Sequence, residues 1–159
     1  MSSTTTDPIK ERTDIAHNDL FRHRTPVQLR FNDFDILGHV NNTVHYELMD
    51  LAKSKYYIDL TGENFVVGQV PLMIVHASTD FVHQALMGEP LTMLTRVTRI
   101  GNKSITMEQR LINSDTGEVK SHCVSVQAYI NVLTGRSDVV PQQWRDIINA
   151  YEGKDLNAK

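Results

Sequence analysis

The chain has 159 residues, with sixteen Lys and Arg against nineteen Asp and Glu and a formal net charge of -3. That length supports one buried core and leaves no room for a second catalytic domain, and that charge excludes a surface for wrapping a nucleic-acid backbone. The single cysteine, Cys123, excludes an internal disulfide; set in an apolar, β-rich run, it reads as an inert core residue in a reducing compartment, so the expected location is cytoplasmic. Residues 1–7 are Ser/Thr-rich rather than basic and then apolar, and no apolar run reaches bilayer length, so neither a signal peptide nor a membrane partner is expected.

Taken in chain order, residues 1–22 are polar and aperiodic and are expected to form a tail, residues 23–153 one domain, and residues 154–159 a second tail. Val27, Leu29 and Phe31 alternate with Gln28, Arg30 and Asn32, the period-2 pattern of a strand with one buried face. Residues 43–60 contain no Gly or Pro, and Asn41 or Asn42 precedes them as a cap, so they predict a helix. Its apolar residues Val44, Leu48, Leu51, Ala52 and Tyr56 are joined by Tyr46, Met49, Tyr57 and Ile58, which predicts burial on more than one side. Four strands follow, at residues 72–82, 91–100, 104–112 and 119–132, separated by Gly-, Pro- and Asn-containing turns short enough for antiparallel hairpins. The last strand, with Val124, Val126, Ala128, Ile130 and Val132 on one face, is long enough to be curved or bulged. A short amphipathic helix is expected after Pro141, over residues 142–151.

One strand, one long helix and four strands predict an α+β domain, an antiparallel curved sheet wrapped around one long central helix. Its open edges invite pairing with another copy, as a homodimer or homotetramer.

The residues between the first strand and the helix carry the chemistry. Residues 33–46 read Asp-x-Asp-x-x-Gly-His-Val-Asn-Asn-x-x-x-Tyr. An Asp or Asn ahead of a helix is most often a cap, but this pattern resembles the signature loop of the hot-dog-fold thioesterases, the 4-hydroxybenzoyl-CoA thioesterase-like group that includes the bacterial YbgC-type acyl-CoA hydrolases. The resemblance implies a hot-dog fold, acyl-CoA thioester hydrolysis and Asp35 as the catalytic carboxylate, acting as nucleophile or as general base for water. A carboxylate before a helix N-terminus lies beside unpaired N–H groups that polarise a thioester carbonyl. The Asn42 N–H is the candidate oxyanion donor, and Gly38 permits close approach of the substrate.

His39 stands where the 4-hydroxybenzoyl-CoA enzymes of that group often have an apolar residue, which speaks against an aromatic acyl pocket and makes His39 a candidate positioning or acid–base group. Asp33 reads as a loop hydrogen-bonder. Asp50, on the helix, is the second candidate carboxylate, because some branches of the fold place theirs there. Tyr46 is either a wall of the acyl pocket or core. Arg99, Lys103 and Ser104 flank a Gly-Asn turn that is either a solvated hairpin end or, as the resemblance implies, a coenzyme A phosphate contact.

No cofactor is expected beyond the coenzyme A of the substrate. No metal site is expected either: His76 and His83 are seven apart on a strand, and His39 and His45 lack a partner at ligand spacing. Two other functions remain open: a noncatalytic module binding acyl-CoA or acyl-carrier protein, and a hydratase or dehydratase on the same fold. The Gly-His loop lacks the proline that marks the latter.

Overall fold

The turns after residues 100 and 113 are too short for anything but antiparallel hairpins. In the computed structural model of the chain, which describes residues 12–62 and 70–159, they join β3 (Leu91–Ile100), β4 (Ser104–Asn113) and β5 (Val119–Asn131). Around them lie β1 (His23–Pro26), β2 (Leu72–Phe81) and the two-residue β6 (Arg136–Ser137). All pairings are antiparallel, in the order β1-β3-β4-β5-β2, with β6 beside β5. Bulges at Ile74/His76, Val97/Arg99 and Leu111/Ile112 let the long strands curve.

The long helix α1 (Asn42–Thr61) begins where its sequence predicts: the Asn41 side chain caps it by accepting from the Thr43 N–H at 3.2 Å. It stops at Gly62, whose φ of +56° disfavours other residues. Met93, Val97, Met107 and Leu111, all 0 % exposed, pack with Val44, Leu48, Ala52 and Tyr56 of α1. Helix α2 (Gln142–Glu152) closes one end, its Ile148 buried against Tyr56 and Tyr57. This is the expected curved antiparallel sheet on one long helix. Among the described residues no helix is long and apolar enough to cross a membrane.

Several expectations are corrected. The first strand is four residues earlier than the alternation at 27–31 suggests, because β3, its partner, runs out at Leu91: the last bond is Val27 N–H to the Leu91 carbonyl. Phe31, beyond it, enters a 3-10 turn (Phe31–Asp33) and is 83 % exposed. Residues 1–11 of the expected N-terminal tail lie outside the described residues, but the remainder docks. Asp14 caps a 3-10 helix (Ile15–Leu20), Asn18 is buried, and Phe21 packs on Leu94, Ile112 and Val119. The C-terminal tail docks too, with Leu156 buried and its carbonyl accepting from the Ile100 N–H at 2.9 Å.

On β5 the face beneath α1 is not the valine set. Ser121, Cys123, Ser125 and Gln127 are buried there, while Val124, Val126 and Ala128 are half-buried on the outer face. Two buried hydrogen bonds select this register, His45 Nδ1 to Ser121 Oγ at 2.8 Å and Tyr57 O–H to Gln127 Oε1 at 2.6 Å. Helix α1 is buried on one side only, since Tyr46, Leu51 and Ile58 stay at least 40 % exposed among the described residues.

Candidate active site

The loop before α1 is a hydrogen-bonded unit built on Asp35. The Asp35 N–H donates to the His39 carbonyl at 2.8 Å and the Gly38 N–H to the Asp35 carbonyl at 3.0 Å. The Asp35 carboxylate accepts from the N–H groups of Leu37 at 2.9 Å and His39 at 3.1 Å, both on Oδ1. Among the described residues no group bonds Oδ2, which leaves it for water or substrate. Gly38 reverses the chain at φ +75° with open space where a Cβ would stand, so its demand for glycine is conformational.

Asp33 anchors this loop and is buried, as a loop hydrogen-bonder should be. It accepts from the Arg30 N–H at 2.7 Å and pairs with the Arg30 guanidinium at 2.8 Å. The hydrogen bond from that guanidinium holds the Asp33 carboxyl below the usual carboxylate range. The Asn41 N–H donates to the Asp33 carbonyl at 2.9 Å, which joins the loop to the helix cap.

At the start of α1, Asn41 claims three amides: its side chain that of Thr43, its carbonyl those of Val44 and His45. Asn42 takes no part in this cap. Asp35, His39 and Asn42 all line one cleft of about 410 Å³, so the structure brings together three of the expected catalytic residues. Gly38 shapes the loop without lining the cleft; its carbonyl accepts from the Met87 N–H at 3.3 Å.

The opposite wall escapes sequence reasoning. It is the segment from Phe81 to Ala85 at the end of β2, held by backbone bonds from Val82 and His83 to the Lys120 carbonyl. The Lys120 ammonium braces it from behind, donating to the Gln84 carbonyl at 3.1 Å, Glu89 at 2.8 Å and Glu118 at 2.7 Å. His45 forms the floor. Burial pulls its imidazole down to about 4, so the ring is uncharged at neutral pH. One signal for His45 is available in the sequence: three residues past Asn42, it shares that residue's helix face.

The remaining expected site residues lie elsewhere. Tyr46 is 45 % exposed, neither core nor cleft lining, and its ring meets that of Phe81 at 6.3 Å. Asp50 pairs with Lys53 at 2.6 Å and borders a separate groove with Met73 and Ile130. Arg99, Lys103 and Ser104 sit at the β3–β4 turn, the end of β3 opposite Leu91, roughly 30 Å along the strand from the cleft end of the sheet. Within one chain they do not meet Asp35.

Residues 29–148 match the thioesterase-like superfamily. The fold is similar to that of a Thermus thermophilus thioesterase solved with coenzyme A and zinc: 28 % identity, TM-score 0.77, covering 86 % of this chain and 98 % of that one. It is similar also to the PA5185 protein of Pseudomonas aeruginosa (28 %, TM-score 0.74, 89 % and 96 % covered) and to a predicted thioesterase of Bacillus stearothermophilus (25 %, 0.72, 80 % and 93 %). No curated protein matches the chain. A curved antiparallel sheet wrapped on one long helix is the hot-dog architecture, which the chain shares with the thioesterases above. The chain belongs to the thioesterase-like superfamily.

Proposed function

We propose that the protein hydrolyses acyl-coenzyme A thioesters to a free acid and coenzyme A, with Asp35 as the catalytic carboxylate. The observation that carries this reading is the meeting in one cleft of the Asp35 carboxylate and the Asn42 amide at the start of a 20-residue helix, with neither Oδ2 nor that amide bonded among the described residues. A thioester carbonyl set between them accepts the Asn42 N–H, and the helix dipole stabilises the oxyanion that develops. Asp35 either takes the proton of an attacking water or attacks the carbonyl carbon itself. In both routes the C–S bond breaks and the thiolate leaves with the bonding pair; in the second the acyl group is left on Asp35 as a mixed anhydride, which water then cleaves to the free acid and the regenerated carboxylate. His39, whose N–H holds Oδ1, positions the carboxylate. No resident cofactor is needed.

The functional unit in this reading is a homodimer or homotetramer. Strand β2 is a sheet edge with Met73, Ile74 and Val75 exposed, a surface suited to pairing with another copy. Such pairing is also the route by which Arg99, Lys103 and Ser104 of a second copy reach the phosphates of a coenzyme A bound at Asp35. With its lone cysteine buried and acyl-CoA as substrate, the enzyme is assigned to the cytoplasm.

Thiol release from a panel of acyl-CoAs tests the proposal. Turnover by the wild type that Asp35→Ala abolishes supports it. Tight acyl-CoA binding without thiol release by the wild type favours a noncatalytic binding module, and reversible hydration of an enoyl-CoA favours a hydratase.

A further inference from the structure

The floor of the cleft holds a polar group that the hydrolytic steps above do not use. His45 follows Asn42 by three residues, which places it one turn along the same face of α1, about 4.5 Å deeper along the axis. Its side chain is 3 % exposed. Ser121 Oγ lies 2.8 Å from Nδ1, and Phe81 meets the ring edge-on at 5.1 Å between centroids, so the imidazole is clamped from two sides. With Nδ1 engaged, Nε2 is the nitrogen left for whatever enters the cleft that this ring lines.

The facing wall is polar as well. His83 Nδ1 is 3.0 Å from the Val119 carbonyl; a carbonyl only accepts, so Nδ1 carries a proton there. Beside the cleft, Val40, Val44, Met49, Ala85 and Cys123 belong to the buried apolar core. An acyl group without polar atoms would leave His45 Nε2 unpaired in a desolvated site, the arrangement that discriminates most strongly against substrates lacking the polar group.

Resting on the acyl-thioester reading, we propose that His45 is a specificity-determining residue and that the preferred acyl group carries a hydroxyl or oxo oxygen a few bonds from the thioester, held by His45 Nε2. A carboxylate does not fit, since the His45 ring is uncharged and Asp35 shares the cleft. A hydroxyl both donates and accepts, so it suits either tautomer that Ser121 selects.

Paired thioether analogues of coenzyme A, which lack the scissile carbonyl, test this without any turnover: S-butyl-CoA against S-(3-hydroxybutyl)-CoA, measured by calorimetry. The wild type should bind the hydroxylated analogue at least about tenfold more tightly. His45→Phe should bring the ratio to about one and leave affinity for the butyl analogue within about threefold, while His45→Asn, the fallback if the Phe variant misfolds, should retain part of the preference. Equal binding of the two analogues by the wild type, no binding of either, or a tenfold ratio that survives in both variants would overturn the proposal. Thiol release from the matching thioesters separates the two readings. Selective binding without release would refute hydrolysis and keep the selectivity; release at equal rates would do the reverse.

Discussion

Asp35 and His39 are tied by two bonds that run in opposite directions: the Asp35 N–H donates to the His39 carbonyl at 2.8 Å, and the His39 N–H donates to the Asp35 carboxylate at 3.1 Å. The second bond needs an acceptor at Oδ1 but not a charge. Asp35→Asn should therefore keep the loop and unfold in urea within about 0.5 kcal/mol of the wild type, whereas Asp35→Ala, which loses the bonds to Leu37 and His39, should cost about 1 kcal/mol. Equal stability of the two variants would mean that the side chain does not hold the loop.

A buried network remote from the cleft should matter more. Glu152, 7 % exposed, accepts from the Tyr56 O–H at 2.6 Å and from the Val97 N–H at 3.0 Å, which fastens α2 to α1 and β3. Burial and the Glu152 charge drive the Tyr56 phenol far above its usual range, so it remains a donor. Glu152→Ala strands two buried donors and should lower unfolding free energy by about 2 to 5 kcal/mol. A loss under 1 kcal/mol by urea denaturation would show that water replaces the carboxylate.

The acid stability profile should carry the mark of His45. Its proton affinity falls from an ordinary 6.5 to about 4 on folding because burial disfavours the charged ring. The unfolded chain thus binds the extra proton between those values, and stability drops as pH falls from 6.5 to 4, by about 3 kcal/mol in all. For Glu108, burial works to raise the affinity, but hydrogen bonds from His122 and Arg96 outweigh it and hold the carboxyl at about 2 against an ordinary 4.5. Its contribution is lost in a lower window, between 4.5 and 2. His45→Phe should flatten the upper window and leave the lower one; an unchanged slope above pH 4.5 would assign the loss to other groups.

How far the sequence reaches depends on the range of the interaction. Asn41 and Gly62 mark both ends of α1, and the hairpin turns mark β3 to β5, because caps and turns are decided within a few residues. The first strand is misplaced because its length depends on where β3 ends, some sixty residues on. On β5 the valine alternation is the stronger local signal, yet His45 and Tyr57, from a different element, pull the polar set inward. Asp35, His39 and Asn42 come together because they are close in the chain, while the wall from Phe81 to Ala85 and the distant Arg99 and Lys103 are placed by the topology of the sheet.

That distance gives the assembly a kinetic consequence. If a second copy supplies Arg99 and Lys103 to the coenzyme A phosphates, replacing both by Ala should raise KM for acyl-CoA about tenfold or more, with little change in kcat and little effect on an acyl-pantetheine thioester that has no nucleotide. Light scattering should give a mass two or four times the 18.1 kDa of the chain. A monomer at micromolar concentration, or equal losses on both substrates, would remove these residues from the site.

In the proposed hydrolysis the Asp35 carboxylate does the chemistry, and Asp35→Asn isolates its charge because Asn preserves the acceptor that holds the loop. Thiol release by Asp35→Asn, measured on the best acyl-CoA at saturation, should fall by a factor of about 100 or more with KM changed by less than about threefold. A variant that folds like the wild type and turns over within about threefold of its rate would remove Asp35 from the chemistry and move it to another carboxylate, with Asp50 first in line.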